Sequence, residues 1–132
     1  MNSAALQLLV DGGAEIGVPL EAFQVKQFAD FGDELKRWNK SINLTAIDDD
    51  EAIVIKHFLD SLTLAPCLKG NEALLDMGSG GGFPCIPLKI AMSGLRITSV
   101  DAVGKKVTFQ KHVARLLGFA DFTVLHARLE KP

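Results

Sequence analysis

The chain has 132 residues, 48% of them hydrophobic and 23% charged, with a formal net charge of −2. That composition suits one folded domain with its own core; it excludes wholesale disorder and a surface that binds nucleic acid everywhere. No apolar run reaches membrane-spanning length, the start "MNSAALQLLVDGGAE" lacks the order of a secretory signal, and Cys67 and Cys85 are too few and too far apart for a metal knuckle or a redox pair. The expectation is a cytoplasmic chain with no membrane contact and no bound metal. Charge is uneven along it. Residues 1–71 carry 11 acids against 6 Lys and Arg, whereas residues 72–132 carry 5 against 8. A basic second part fits an anionic ligand or partner there, or solvated faces that merely differ.

Residues 1–71 read as a helical segment. Leu6, Leu9, Gly13 and Ile16 share one face, and Gly17 with Pro19 supplies a stop and a restart. From Leu20 onward, Phe28, Phe31, Leu35 and Trp38 recur at helical spacing to about Asn39. The turn "NKSINLT" follows, with Asn43 and Thr45 placed to satisfy its backbone. Asp48 with Glu51 then resembles a capping box, opening a helix that carries Ile53, Lys56, His57 and Asp60 toward Pro66. His57 and Asp60, one turn apart, are expected as a buried hydrogen-bonded pair, and Trp38 as a core anchor.

Residues 72–132 change period. Ala73–Met77 is a short strand, Pro84–Met92 a helix with proline in its first turn, and Leu95–Val100 a second strand that ends at Asp101. Gly104–Leu117 is a helix with Val107, Gln110, Val113 and Leu117 along one side, and Gly118 lies just past its end. Phe122–His126 is a third strand. The order is βαβαβ: an α/β chain with a parallel sheet.

The stretch "LLDMGSGGGFP", Leu74 to Pro84, joins the first strand to its helix through four glycines. Such a turn lets a ligand lie against bare backbone near a helix N-terminus. A phosphate-cradling loop needs Gly-Lys-Ser/Thr next, but Gly82-Phe83-Pro84 follows. A dinucleotide fingerprint needs glycine at position 83, which is Phe. The pattern is Asp-x-Gly-x-Gly-x-Gly. S-adenosylmethionine suits it better than a pyrophosphate does: Asp76 meets the sulphonium and ammonium cations favourably, and the turn's N–H groups remain for the carboxylate. Asp101, at the end of the second strand, is placed to accept the ribose hydroxyls. The plain alternative is a turn that uses glycine only for packing.

These residues resemble the RsmG (GidB) family, the bacterial 16S rRNA guanine-N7 methyltransferases. The resemblance rests on "WNKSINLTAI" (Trp38–Ile47), "KHFLDSL" (Lys56–Leu62), "LLDMGSGGGFPCIPL" (Leu74–Leu88), "VDAVGKKVTF" (Val100–Phe109) and "ARLEK" (Ala127–Lys131). It implies a Rossmann-like class I methyltransferase fold behind an N-terminal helical segment, with residues 72–132 forming the first half of the donor-binding domain. About seven strands are expected in the whole sheet, so the chain is expected to stop at Pro132 ahead of the others and to leave a hydrophobic sheet edge prone to self-association. The implied activity is methylation of N7 of one guanine in 16S rRNA near the decoding centre, on free rRNA or on the small ribosomal subunit. S-adenosylmethionine is the implied donor and S-adenosylhomocysteine the product. Gly78 and Phe83 would border the methionine part, Gly80 and Gly82 would shape the turn, and Asp101 would hold the ribose. Leu129 and Glu130 would flank the adenine, while Lys105, Lys106 and Arg128 would face RNA phosphate. Lys111 and Arg115 read as a solvated outer face. No general base is required, because N7 has an in-plane lone pair and no proton to lose. Two rival readings are an inactive donor- or RNA-binding fragment and, less well supported, a nicotinamide-dependent oxidoreductase.

Overall fold

A computed structural model of the protein describes residues 1–128. β1 (Ala73–Met77), β2 (Arg96–Asp101) and β3 (Phe122–His126) form one parallel sheet in the order β1-β2-β3. Leu75 pairs with Thr98, and Thr98 in turn with Thr123. The crossovers carry α5 (Cys85–Ala91) and α6 (Gly104–Leu116), as parallel neighbours require. The fold is therefore α/β and consistent with a Rossmann-like methyltransferase. Two boundaries move. β2 begins at Arg96, behind a fully buried Leu95. α5 begins at Cys85, with Pro84 just outside it across a cis Phe83–Pro84 peptide. Pro87 takes the third helical position instead, where an N–H has no helical partner to lose.

The helical segment packs on α5 and α6 as a third layer. α1 (Ser3–Glu15) turns Ala5, Leu9 and Gly13 inward, four residues apart, leaving Leu6 and Ile16 at the margin. α2 (Ala22–Asn39) buries Phe28, Phe31 and Leu35. A longer helical stretch follows: α3 (Asp50–Ile53), a π-helical turn (Val54–Leu59) and α4 (Asp60–Leu62). Its cap is Asp49 rather than Asp48; the Asp49 carboxylate accepts the Ala52 N–H at 3.0 Å, and Asp48 stands one residue too early to do so. Aromatic rings join the layers. Phe31 lies 5.5 Å from Phe58, 5.5 Å from Phe83 and 6.3 Å from Phe109, between centroids, so rings from both parts of the chain share one core. Trp38 packs edge-on against Phe109 at 5.6 Å, the anchoring role expected of it.

Strand alternation sends Leu74, Asp76, Ile97, Ser99 and Val124 toward the helices, and Leu75, Met77, Thr98, Thr123 and Leu125 to the opposite face. No described element covers that second face: Leu75 is 61% exposed and Leu125 46%. Among the described residues, β1 and β3 are the edge strands of this sheet. No helix among the described residues is long and apolar enough to cross a membrane.

Asp50 ties three elements together. One carboxylate oxygen accepts the Asn2 N–H at 2.7 Å and the other pairs with Lys36 at 2.5 Å. Burial alone would raise its pKa, but Lys36 and the Asn2 N–H outweigh that and hold it below the ordinary 3.8. A carboxylate with a depressed folded pKa stabilises the fold fully above its unfolded value; the contribution disappears as pH falls through the folded value. Asp50→Ala is accordingly expected to cost about 2–3 kcal/mol at neutral pH, measured by urea unfolding, with the gap from wild type closing below about pH 4. The uncovered sheet face generates a second expectation. Sedimentation of this 132-residue chain should reveal concentration-dependent self-association, which the double substitution Leu75→Lys, Met77→Lys abolishes.

Candidate functional site

The glycine turn leaves the C-terminal end of β1 and has almost no side chains with which to hold its own shape. Its conformation is imposed from outside. Gly78 N–H donates to Val100 O at 2.7 Å, and Gly80 N–H donates to Asp101 Oδ2 at 2.8 Å. From α6, the fully buried Gln110 donates through Nε2 to Gly80 O and to Ser79 Oγ, both at 2.8 Å, while its Oε1 accepts from Ser99 Oγ at 2.6 Å. Ser79 and Ser99 also meet directly through their hydroxyls. Helical spacing places Gln110 on the inward face, but nothing in the spacing says that it braces this turn. Ser79 and Ser99 are absent from the sequence-based set altogether, although two buried serines and a buried glutamine must find one another or remain unsatisfied.

Two glycines of the turn have both the conformation and the space of a ligand cradle. Gly78 (φ +75°) and Gly80 (φ +57°) lie in the left-handed region, and a Cβ on either would meet nothing within 4 Å. Gly82 (φ +97°) is different, because a Cβ there would stand 2.3 Å from Ile86 Cδ1. Beside the cradle, at the C-terminal ends of the strands, lies a crevice of about 430 Å³ lined by Gly78, Val100, Asp101, Ala102, Val103 and Ala127, with Arg128 at its rim. That is where open α/β sheets bind ligands, and the volume lies within the roughly 300–1,000 Å³ usual for small-molecule sites. These residues therefore fit a nucleoside-bearing donor.

The expected site residues are not all gathered there. Asp101 is, but both its oxygens already accept, from Gly80 N–H and from Val103 N–H at 2.8 Å, so a ribose would use its remaining lone pairs. Asp76 faces α5, as strand alternation dictates, and accepts the Cys85 N–H at 3.2 Å. It lines a second, apolar cavity of about 260 Å³ against Leu64, Leu68 and Leu88. Burial pushes its carboxyl pKa up, and the nearby Asp101 pushes in the same direction. The neighbouring Cys85 thiol is raised as well, by burial and then by Asp76, so it remains a neutral packing group. The N–H groups of Gly78, Ser79, Gly80, Gly82 and Phe83 have acceptors within the protein, which reduces what the turn can offer a carboxylate. Arg128 is exposed and lines the crevice; Lys105 is exposed and shares the first turn of α6 with Lys106. Lys111 and Arg115 are exposed, as expected of an outer face. Leu129 and Glu130 lie outside the described residues.

Phe83 leads to the second group that sequence reasoning misplaced. Its ring stacks on His57 at 4.4 Å between centroids and 13° between planes. His57 Nε2 lies 2.7 Å from Thr45 Oγ1, which also accepts the Ile47 N–H, and Asn39 Oδ1 accepts the Leu44 and Thr45 N–H groups. The expected His57–Asp60 hydrogen bond is absent. His57 turns toward Thr45 and Phe83, whereas Asp60, beyond the π-helical turn, is exposed. Burial lowers the His57 pKa, with Asp60 opposing it, which favours the neutral ring. Thr45 serves the turn's backbone as expected; Asn39 does the remainder, and Asn43 is exposed.

Replacing Gln110 with Leu leaves Gly80 O and two buried hydroxyls short of partners. It is expected to cost about 2–3 kcal/mol in denaturant unfolding and to speed hydrogen exchange at Gly80.

Comparison with known proteins gives the family. The family model for GidB, rRNA small subunit methyltransferase G, matches residues 24–132. A protein of Geotalea uraniireducens (strain Rf4) named ribosomal RNA small subunit methyltransferase G is 55% identical over 131 residues, covering 99% of this chain and 60% of that protein. Proteins of the same name from Geobacter sulfurreducens (52% over 130 residues; 98% and 60%) and Acetivibrio thermocellus (42% over 126 residues; 95% and 52%) are similar in the same way. The chain thus spans only 52–60% of the length of these relatives. With the family model matching residues 24–132, the chain belongs to the GidB family of rRNA small subunit methyltransferase G proteins.

Proposed function

We propose that the protein is a cytoplasmic S-adenosylmethionine-dependent methyltransferase acting on N7 of a guanine in 16S rRNA near the decoding centre. The observation that carries this reading is the open cradle at Gly78 and Gly80, set between the Asp101 crevice and the Phe83 ring. Family membership supports the reaction class, and the relatives are named as ribosomal RNA methyltransferases. When bound, the donor supplies a sulphonium methyl that passes to the N7 lone pair as the carbon–sulphur pair returns to sulphur, giving S-adenosylhomocysteine and N7-methylguanine without loss of a proton. This chain's residues have the task of positioning. Gly78 and Gly80 let the amino-acid end approach the backbone, Asp101 accepts from the ribose, and Lys105, Lys106 and Arg128 attract the RNA phosphates. Leu129 and Glu130 complete the adenine side. Asp76 acts over a longer range through its charge.

The test is methyl transfer by the full-length protein. Labelled methyl is expected to enter small subunits that lack the modification and to map to a single guanine N7; no incorporation would sink the reading. Calorimetry should show binding of S-adenosylhomocysteine and none of NAD. Gly80→Ala forces a Cβ into the left-handed region and into the cradle, and is expected to weaken S-adenosylhomocysteine binding by about tenfold or more.

A further inference from the structure

A third opening adjoins the end of the glycine turn. It is a crevice of about 370 Å³ lined by Asp60, Ser61, Thr63, Leu64, Phe83 and Pro84. Phe83 and Pro84 follow directly on the cradle, so whatever enters here reaches the end of the turn assigned above to the methionine part of the donor. The lining is mixed. Leu64, 47% exposed, and the partly exposed Phe83 and Pro84 form its apolar part, and Asp60, Ser61 and Thr63 its polar part. Thr63 Oγ1 is occupied by the Asp60 carbonyl at 2.5 Å. The Asp60 side chain is exposed and accepts no hydrogen bond from another described residue; Ser61 is 4% exposed as a residue, and its hydroxyl bonds to no described residue but is not a fully buried orphan. An exposed carboxylate and a hydroxyl without a protein partner, beside the apolar surfaces of Leu64, Phe83 and Pro84, suit a planar heterocycle bearing adjacent N–H donors.

We propose that this crevice takes the target guanine by its Watson–Crick edge, with Asp60 as the residue that distinguishes it from other bases; the proposal rests on the guanine-N7 reading above. Guanine alone among the RNA bases presents N1–H and an N2 amine side by side, two donors for one carboxylate, with O6 next to them for a hydroxyl such as that of Ser61. Adenine would turn its N1 lone pair toward the same carboxylate and be repelled. N7 lies on the other ring, so a guanine held by N1 and N2 keeps N7 free and directed away from Asp60. The apolar walls supply the stacking surface for a base withdrawn from its neighbours.

The test uses the full-length protein, wild type and Asp60→Ala, on small subunits assembled with guanine or inosine at the mapped target. Inosine keeps N7, O6 and N1–H but lacks the amine. Wild type is expected to lose roughly 10- to 100-fold in kcat/KM on inosine. Asp60→Ala should lose a similar factor on guanine and show less than about a threefold difference between the two bases. Because Asp60 is exposed, S-adenosylhomocysteine binding by the variant should stay within about twofold of wild type, which confirms an intact fold and donor site. A variant that retains the wild-type guanine-to-inosine ratio overturns the proposal, whatever its rate. A wild type that methylates guanine N7 but is indifferent to inosine overturns this proposal alone; one that methylates no guanine N7 overturns the preceding reading and this one together.

Discussion

A turn of four glycines has the widest conformational choice of any stretch in the chain, and a ligand cradle needs it to have one shape. Gln110 resolves that conflict. From the middle of α6 it fixes Gly80 O and links Ser79 to Ser99, while Asp101 takes the Gly80 N–H from the other side. The turn is thereby pinned at both its carbonyl and its amide, leaving the open sides of Gly78 and Gly80 facing space. Ordering so much glycine is entropically expensive, and a buried, fully satisfied polar network offsets the cost while excluding alternative shapes.

Much of the fold was legible in the sequence, and the reasons are local. The period change at Ala73, the glycine stop at Gly118 and the strand-end Asp101 each report on neighbours within a few residues, and each stands within a residue or two of its expected place. The departures concern groups whose partners are distant in the chain. Asp76 reads as the lip of the turn by position, but strand alternation directs it at Cys85, nine residues on. His57 and Asp60 read as a pair by helical spacing, yet a π-helical turn widens the helix there and His57 finds Thr45 and Phe83 instead. Gln110 was legible as an inward residue and not as the brace of a loop 30 positions away. One-dimensional spacing carries the elements; it does not carry which buried polar group meets which.

The N-terminal helices support the proposed site as much as the sheet does. Phe83 lies at the end of the glycine turn, but its ring is held by His57, Phe31 and Phe58, which come from α2 and from the helical stretch after it. The same rings form the core that joins residues 1–71 to the crossover helices. Family signatures in the two parts of the chain thus meet at one side chain. The alignment of "KHFLDSL" with the glycine motif in space follows from that stack.

In the proposed reading, Phe83 also couples ligand binding to helix packing. Any molecule that prefers one placement of this ring must, by reciprocity, favour one seating of α2 against α5, and loosening that seating must lower affinity by the same factor. On that reading the helical layer is a thermodynamic partner of the cradle, and occupancy of the turn is expected to shift the packing of a helix that the ligand never touches.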